Sequence, residues 1–178
     1  MKDELKKKAK IVWFTGLSGA GKSTLSKRLK CKLNLLGLKK IIIIDGDKFR
    51  KKTKNKSSFT KKNIEKNNIS IISHIKKIQD KYNFILVSVI SPLRKTRLIA
   101  KKKFGNNYYE ILVFCNLKVL KKRDTKGLYK KADKNEISNL IGYKSKINYQ
   151  KTLYKKLKIN SSRLSLRESI AKILKFIF

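Results

Sequence analysis

The stretch of residues 11–24 constrains the fold of this chain more than any other part, and it reads I-V-W-F-T-G-L-S-G-A-G-K-S-T. Its first five residues are mostly apolar and partly β-branched, which is typical of a buried strand. Residues 16–23 fit the pattern G-x-x-x-x-G-K-[ST]. Leucines then recur at positions 25, 29 and 33, the spacing of one helix face. A strand, a glycine-rich loop and a helix in this order predict a phosphate-binding loop.

The residue types of this loop suit a bound polyphosphate. Glycines let the backbone turn successive N–H groups inward, and the following helix adds free N–H groups and the positive end of its dipole. Lys22 is predicted to bring a positive charge to the β- and γ-phosphates, and the Ser23 hydroxyl is predicted to bind Mg²⁺. The alternative is a glycine-rich turn that only joins the strand to the helix. The residues predicted to contact the nucleotide are Gly16, Leu17, Ser18, Gly19, Ala20, Gly21, Lys22, Ser23 and Thr24.

The composition indicates one folded domain with a very basic surface. The 178 residues are 40% hydrophobic, and no apolar run approaches the ~20 residues of a membrane span. Lysine and arginine number 48 against 11 acidic residues, a net charge of +37. This charge is either a nucleic-acid-binding signal or a surface bias produced by an A/T-rich genome. Because the lysines are scattered over predicted helices and loops, we favour the second interpretation, with only non-specific attraction of nucleic acid.

Secondary-structure signals alternate along the chain. Strands are predicted at residues 11–15, 40–45, 84–90, 109–115 and 157–160, helices at 22–36, 60–81, 93–103, 117–122 and 166–178, and a polar loop at 51–58. The alternation predicts an α/β fold, a three-layer αβα sandwich of the P-loop NTPase type with a parallel, five-stranded sheet. The pattern S-x-x-E at residues 165–168 predicts a capping box that opens the last helix.

The chain is expected to form a single domain. Residues 1–10 are expected to be a basic N-terminal tail and residues 11–178 the domain itself. Residues 123–150, rich in Lys, Asn and Gly, are expected to form a mobile lid. Cys31 and Cys115 lack metal-ligand spacing and are expected to fill the core of a protein in a reducing compartment. With no signal-peptide pattern in the sequence, a cytoplasmic location is expected.

Five motifs, in order, resemble those of the adenylylsulfate kinase (APS kinase) family, and the resemblance extends over residues 12–177. They read W-F-T-G-L-S-G-A-G-K-S-T at 13–24, I-D-G-D-x-x-R at 44–50, I-S-P-x-R-x-x-R at 90–97, R-D-x-K-G-L-Y-K-K-A at 123–132 and I-N-S-S-x-L-S-x-x-E-S at 159–169. The second motif places two acids directly after a continuous apolar strand, at the sheet edge where open α/β folds bind ligands. A phosphate-binding loop alone is shared by many nucleotide-binding proteins, but the five motifs together narrow the resemblance to this family.

The resemblance implies a P-loop kinase that uses ATP and Mg²⁺ to phosphorylate the 3′-hydroxyl of adenosine 5′-phosphosulfate (APS). The product is 3′-phosphoadenosine 5′-phosphosulfate (PAPS), for sulfate assimilation. In such a kinase Lys22 would hold the phosphates, Ser23 would bind Mg²⁺ and Asp45 would hold it through water. Asp45 or Asp47 would accept the hydroxyl proton, unless these acids only cap the strand end or form a turn. The family often forms dimers, so a homodimer is also implied, without a membrane partner.

The resemblance further implies contacts to the acceptor. Arg50 would pair with the phosphosulfate group, or would be one more exposed cation. Phe59 would stack on the acceptor adenine or belong to the core, and Asn67 falls where the family has a substrate-contacting asparagine. Ser91 matches the serine of I-S-P, as a catalytic residue or as a strand-end cap. The other residues implied to contact the acceptor are Asp47, Ile90, Lys126 and Leu128. Arg123 and Lys126 would bind ATP as the lid closes. Arg94 and Arg97 would bind phosphate, or would lie on the helix surface.

Two parts of the acceptor site depart from the family pattern. The family's D-R-x-E-N-I-R-R is here N-I-E-K-N-N-I-S at residues 63–70, so an arginine is replaced by Ile64. The aromatic residue expected in the lid is Leu140. Nearby lysines, such as Lys61 or Lys62, are expected to supply the lost charge. Three hypotheses stay open: a working APS kinase, a P-loop kinase with a changed or weakened acceptor, and a basic nucleic-acid-binding protein on this scaffold.

Overall fold

The computed structural model describes residues 8–52, 60–152, 154 and 156–178. The strands in these ranges are β1 (Lys10–Thr15), β2 (Ile41–Asp45), β3 (Phe84–Ser88), β4 (Tyr108–Phe114) and β5 (Leu157–Asn160). In the described part of the chain these five strands form one parallel sheet in the order β2-β3-β1-β4-β5. β1 is central, with Trp13 opposite Val87 on one neighbour and Glu110 on the other. The predicted parallel five-stranded sheet is confirmed.

Helices cover both faces of the sheet. They are α1 (Lys22–Leu35), α2 (Gly46–Lys52), α3 (Lys61–Ile78), α4 (Arg94–Phe104), α5 (Leu117–Arg123), α6 (Leu128–Asp133) and α7 (Leu166–Ile177), with 3₁₀ turns at Gln79–Lys81 and Gly105–Asn107. α1 and α7 pack on one face of the sheet, and α3 and α4 on the other. On β1, Val12 and Phe14 face the first core while Ile11 and Trp13 face the second. This burial on two sides explains the unbroken apolar run of β1 and confirms the three-layer αβα sandwich.

Several element boundaries differ from the predicted ones. β1 begins at Lys10, and Ala9 before it is buried and donates its N–H to the carbonyl oxygen of Gln79 at 3.3 Å. Residues 51 and 52, predicted as loop, belong to α2, a helix that the sequence periodicity did not reveal. β3 ends at Ser88, two residues earlier than predicted. Residues 1–7 of the predicted tail and residues 53–58 of the predicted loop lie outside the described residues.

The two cysteines lie in different surroundings, and the expectation for one of them is wrong. Cys31 is exposed on α1, because Leu25, Leu29 and Leu33 take the buried face of that helix. Cys115 is half-buried just after β4 and packs against the core. The prediction of core placement therefore holds only in part, and only for Cys115.

The segment of residues 123–150 contains a helix that its weak periodicity did not predict. The Asp124 carboxylate accepts the N–H groups of Tyr129 and Lys130, at 3.1 and 2.9 Å, and so caps the start of α6. The buried Tyr129 hydroxyl donates to the carbonyl oxygen of Ser18 at 3.0 Å. This contact anchors the segment on the phosphate-binding loop, whereas its movement as a lid stays a prediction.

The C-terminal helix begins as predicted. The Ser165 hydroxyl accepts the N–H of Glu168 at 3.2 Å, and the Glu168 carboxylate accepts the N–H of Ser165 at 2.8 Å. Ile170, Ile173 and Ile177 are buried against the sheet. The capping box is confirmed. Within the described ranges, no helix has the combination of length and hydrophobicity needed to cross a membrane.

Candidate active site

The phosphate-binding loop requires glycine at its first position. Gly16 follows β1 with φ = +138°, and a Cβ atom there would lie 2.0 Å from the carbonyl oxygen of Val113. Its N–H donates to the carbonyl oxygen of Ile90 at 3.3 Å, which ties the loop to the segment after β3. At the far end, Gly21 caps α1 with φ = +97° and without a side-chain hydrogen bond. No side chain at the N-cap therefore competes with an anion for the N–H groups of the first helical turn.

Lys22, the first residue of α1, folds back over the loop. Its Nζ donates to the carbonyl oxygen of Leu17 at 2.7 Å. Burial, and after it the nearby Lys126, lowers the pKa of Lys22 to about 8, although Asp47 and Asp45 act in the opposite direction. A phosphate bound in the loop would add negative charge beside the ammonium group and so favour its charged form.

Asp45 connects the end of β2 to both neighbouring helices. Its Oδ2 accepts the Ser23 hydroxyl at 2.9 Å, at the start of α1. Its Oδ1 accepts the N–H groups of Asp47 and Lys48, at 3.0 and 3.3 Å, and caps α2. Asp45 therefore caps the end of the strand and the start of α2, as one of its predicted alternatives has it, and it also contacts Ser23 of the phosphate-binding loop; its part in metal binding or proton transfer stays a prediction. This N-terminal cap is also why residues 46–52 form a helix that periodicity alone did not reveal.

The same pair of oxygen ligands fits Mg²⁺. Ser23 is exposed and Asp45 is half-buried, so both oxygens are accessible from the loop. Mg²⁺ prefers oxygen ligands and is usually bound by one or two protein groups together with water and substrate phosphates. A hydroxyl and a carboxylate oxygen 2.9 Å apart, beside a phosphate-binding loop, match this preference.

Asp47 forms ion pairs with two cations from different parts of the chain. Its Oδ1 lies 2.6 Å from the Arg50 guanidinium on the same helix, and its Oδ2 accepts the Lys126 ammonium from the segment before α6. Burial acts to raise the pKa of Asp47, but Lys126 and Arg50 outweigh it and hold that pKa below its ordinary value. The carboxylate is therefore ionised at neutral pH and links α2 to the predicted lid.

One cleft of about 600 Å³ collects most of the predicted site residues. It lies at the carboxyl edge of the sheet. The central strand there is β1, with β3 and β2 on one side of it and β4 and β5 on the other. The described side chains lining it include six cations and two carboxylates, so it carries a positive charge suited to anionic ligands. The predicted residues that line it are Ser18, Lys22, Ser23, Asp45, Asp47, Arg50, Asn67, Ile90, Ser91, Lys126 and Leu128.

Of the predicted loop residues, Gly16, Leu17, Gly19, Ala20, Gly21 and Thr24 are not part of the lining. Outside the loop, three predicted residues lie away from it, and a fourth is not among the described residues. Arg123 donates to the Ser161 hydroxyl and carbonyl oxygens, at 3.2 and 2.7 Å, away from the lining of the cleft. Arg94 is exposed at the start of α4. Arg97 is fully buried, so both of its predicted alternatives, a phosphate ligand and a helix-surface residue, are wrong. Phe59 lies outside the described residues.

The acceptor half of the cleft has an apolar wall where the family has an arginine. Ile64 is buried and packs with Leu93 and Ile141. Beside it on α3, Asn67 is 8% exposed, and its Oδ1 has no hydrogen-bond partner among the described residues. A buried amide oxygen without a partner is costly, so this atom is suited to accept a hydrogen bond from a ligand. Leu140 is also buried in the lining.

The lysines expected to replace the charge lost at Ile64 do not line the cleft. Lys61 and Lys62 are exposed and lie outside the lining, whereas Lys48, Lys51 and Lys66 are part of it. Helical spacing could have predicted that Lys66 lines the cleft. Positions 63, 66 and 67 share one face of α3, and Asn67 is a predicted substrate contact. For Asn139 and Ile137, which also line the cleft, the sequence carries no comparable signal.

Comparisons with known proteins agree with this geometry. The model of a family described as adenylylsulphate kinase matches residues 8–160. A probable adenylyl-sulfate kinase of Pyrococcus abyssi is 38% identical over 154 residues, which cover 86% of each chain. The adenylyl-sulfate kinase of Microcystis aeruginosa is 35% identical over 95% of this chain and 91% of its own. The solved APS kinase of Mycobacterium tuberculosis, in complex with AMPPNP and APS, superposes with a TM-score of 0.83 at 28% identity, covering 96% of this chain and 98% of that one.

Proposed function

The chain belongs to the adenylylsulfate kinase family, and we propose that it transfers the γ-phosphate of ATP to the 3′-hydroxyl of APS, forming ADP and PAPS. One observation carries the proposal: Ser18, Lys22 and Ser23 of the phosphate-binding loop line the same cleft as the candidate acceptor residues Asp47, Arg50 and Asn67. A donor phosphate and an acceptor hydroxyl held in that cleft would react as neighbours. Phosphoryl transfer depends mainly on such positioning and on neutralising the charge of the phosphate oxygens.

The donor side is formed by the loop and the start of α1. The N–H groups of the loop and the Lys22 ammonium would bind the β- and γ-phosphates, and Ser23 and Asp45 would hold Mg²⁺. When bound, the metal neutralises charge on the phosphate oxygens. Lys22 is released from the Leu17 carbonyl oxygen, 2.7 Å away, when it turns to a phosphate.

Asp47 is the better candidate to accept the hydroxyl proton. Both carboxylate oxygens of Asp45 are already occupied, one by two backbone N–H groups and the other by Ser23. Among the described residues, the Asp47 carboxylate is bound by two side chains, Arg50 and Lys126, and not by backbone N–H groups; both cations are also suited to bind substrate. Its ionised carboxylate takes the proton as the oxygen–phosphorus bond forms, while ADP leaves with the electrons of the broken bond.

The acceptor side combines cations with an apolar wall. Arg50, Lys51 and Lys66, which all line the cleft, bind the phosphosulfate group. Their charge replaces that of the arginine that the family pattern has at the position of Ile64. Ile64 and Leu140 provide an apolar surface for the adenine, and the free Oδ1 of Asn67 accepts a hydrogen bond from it.

Self-association and a cytoplasmic location are part of the same proposal. Support for a homodimer comes from apolar side chains exposed outside the lining of the cleft, Leu35 and Leu36 at the end of α1 and Phe178 after α7. Light scattering across a concentration series would show a dimer mass if these side chains lie in an interface.

The decisive experiment incubates the protein with Mg-ATP and APS and separates the nucleotides. We expect ADP and PAPS in equal amounts, a loss of turnover in Lys22→Ala, and little change in Lys27→Ala, which removes an exposed lysine from the same helix. ATP binding without consumption of APS would favour the changed-acceptor hypothesis. Absence of turnover with strongly salt-dependent binding to RNA or DNA would favour the nucleic-acid-binding hypothesis.

A further inference from the structure

A buried ion pair lies behind the acceptor wall of the cleft. Arg97 of α4 and Glu110 of β4 are both fully buried, with the Arg97 Nε 3.5 Å from the Glu110 Oε2. Glu110 also accepts hydrogen bonds from the hydroxyls of Thr152, at 3.1 Å, Tyr108, at 3.3 Å, and Tyr154. Burial is the main cause that raises the pKa of both tyrosines, so they remain protonated donors.

The Arg97 guanidinium joins two segments that are distant in sequence. One of its NH₂ groups donates to the carbonyl oxygen of Ser91, after β3, and the other to the carbonyl oxygen of Gln150. Its Cζ lies 4.6 Å from the ring centre of Tyr149. The N–H of Gln150 donates in turn to the carbonyl oxygen of Pro92 at 2.9 Å. The end of the predicted lid is thereby fastened to the segment of residues 90–92, which lines the cleft.

Ser91 has a backbone conformation that needs such support. Its φ is +44°, a left-handed value that is costly for a residue with a side chain and persists only where several contacts enforce it. Arg97 supplies one of these contacts directly. The Tyr149 hydroxyl supplies another through Thr15, whose Oγ1 lies 3.1 Å from it and donates to the carbonyl oxygen of Ile90 at 2.6 Å.

We propose that Arg97 is a positioning residue for the acceptor, which holds Ser91 and the segment of residues 149–152 in place through its two carbonyl contacts. The proposal rests on the proposed function. A buried ion pair is a poor source of stability, since packed apolar side chains serve as well or better. A guanidinium instead provides a planar fork of donors, which fixes two acceptors relative to each other as a single ammonium cannot.

The substitution Arg97→Lys separates positioning from folding. Lysine keeps a cation beside Glu110 but cannot hold both carbonyl oxygens. We expect the KM for APS to rise roughly tenfold, because small displacements of a substrate-positioning wall are costly. The KM for ATP should change less than about twofold, since Lys22 and Ser23 do not contact this pair. Arg94→Lys, the same exchange at an exposed position of the same helix, is the matched control and should behave as the parent.

A second variant keeps the test decisive if Arg97→Lys fails to fold by circular dichroism. Tyr149→Phe retains the ring beside Arg97 but removes the hydroxyl that contacts Thr15, and we expect a rise of roughly threefold in the KM for APS.

The outcomes distinguish the two proposals. An active parent with folded variants whose KM for APS stays within about twofold would overturn the positioning role. Equal increases in both KM values together with a lowered melting temperature would also overturn it, because they indicate a structural role alone. A parent that neither binds nor consumes APS would overturn the proposed function and this inference with it.

Discussion

The Ser23 hydroxyl donates a hydrogen bond to Asp45 Oδ2 across 2.9 Å, joining the start of α1 to the end of β2. These residues come from two separate motifs, and the parallel sheet brings them together because β1 and β2 end at the same edge. The other oxygen of Asp45 caps α2, which carries Asp47 and Arg50. The contact therefore links the donor half of the cleft to the acceptor half.

Removal of the Ser23 hydroxyl should impair metal-dependent turnover. We expect Ser23→Ala to lower kcat/KM by roughly 10- to 100-fold, since it removes a ligand of Mg²⁺ and a hydrogen bond to a carboxylate worth about 1.5–3 kcal/mol. Ser23→Thr keeps the hydroxyl and should retain most of the activity, as the loop pattern allows either residue. Initial rates over a magnesium titration provide the measurement, and equal rates for both variants would contradict the role of the hydroxyl.

Gly16 should tolerate no side chain. We expect Gly16→Ala to lower the free energy of unfolding by about 3 kcal/mol or more, because its Cβ would lie 2.0 Å from the Val113 carbonyl oxygen. Gly37→Ala is the control: Gly37 also has a positive φ, +76°, but nothing lies within 4 Å of its Cβ position, so about 1 kcal/mol is expected. Urea unfolding compares the two, and similar losses would refute the steric explanation.

Nucleotide affinity should weaken as the pH rises through about 8. Lys22 has a pKa of about 8 in the free protein, so its amine is charged below that pH and neutral above it. The neutral amine no longer attracts the phosphates, whereas exposed lysines with ordinary pKa values stay charged up to about pH 10. Calorimetric titration with AMPPNP between about pH 6.5 and 9.5 measures the effect. The same slope in Lys22→Ala would assign it to another group.

The acid limb of the pH profile should depend on Lys126. The pKa of Asp47 is held low by Lys126 and Arg50 against the opposing effect of burial, so the carboxylate stays ionised in mild acid. In Lys126→Met one of these cations is lost and the pKa of Asp47 rises. Activity should then begin to fall at a higher pH than in the parent. Profiles of kcat/KM against pH test this, with the exposed Lys130→Met as control; an unmoved acid limb would speak against Asp47 as the proton acceptor.

Lys66 should contribute to acceptor binding where Lys61 does not. Lys66 lines the cleft and Lys61 is exposed outside it on the same helix. We expect Lys66→Ala to raise the KM for APS roughly threefold to tenfold, with the effect shrinking in high salt, as a partly screened charge contact requires. Lys61→Ala should leave the KM unchanged. Equal KM values for APS in the two variants would show that Lys66 does not replace the arginine that the family has at the position of Ile64.

Local signals in the sequence predicted most of the scaffold. The glycine spacing of the loop, the apolar run of β2 and the capping box of Ser165 and Glu168 depend on residues within a few positions of one another. The helix α6 in the segment of residues 123–150 was not predicted. Its cap is Asp124, which accepts the N–H groups of Tyr129 and Lys130, and this spacing of five and six residues does not match a capping box. The helix α2 was not predicted for another reason: Asp45, its cap, lies directly before it, but seven residues are too few to show a helical period.

From the sequence alone we predicted the five strands, the helices α1, α3, α4, α5 and α7, the phosphate-binding loop and the resemblance to the family. The surroundings of the acceptor site became known from the packing of the chain: Arg97 is buried against Glu110 rather than facing phosphate, Ile64 joins an apolar cluster with Leu93, and Lys66 lines the cleft. The difference follows from how far apart in the sequence the interacting residues lie. Helix and strand periodicity and capping arise between near neighbours in the chain, whereas burial and charge pairing depend on which distant segments the sheet packs together.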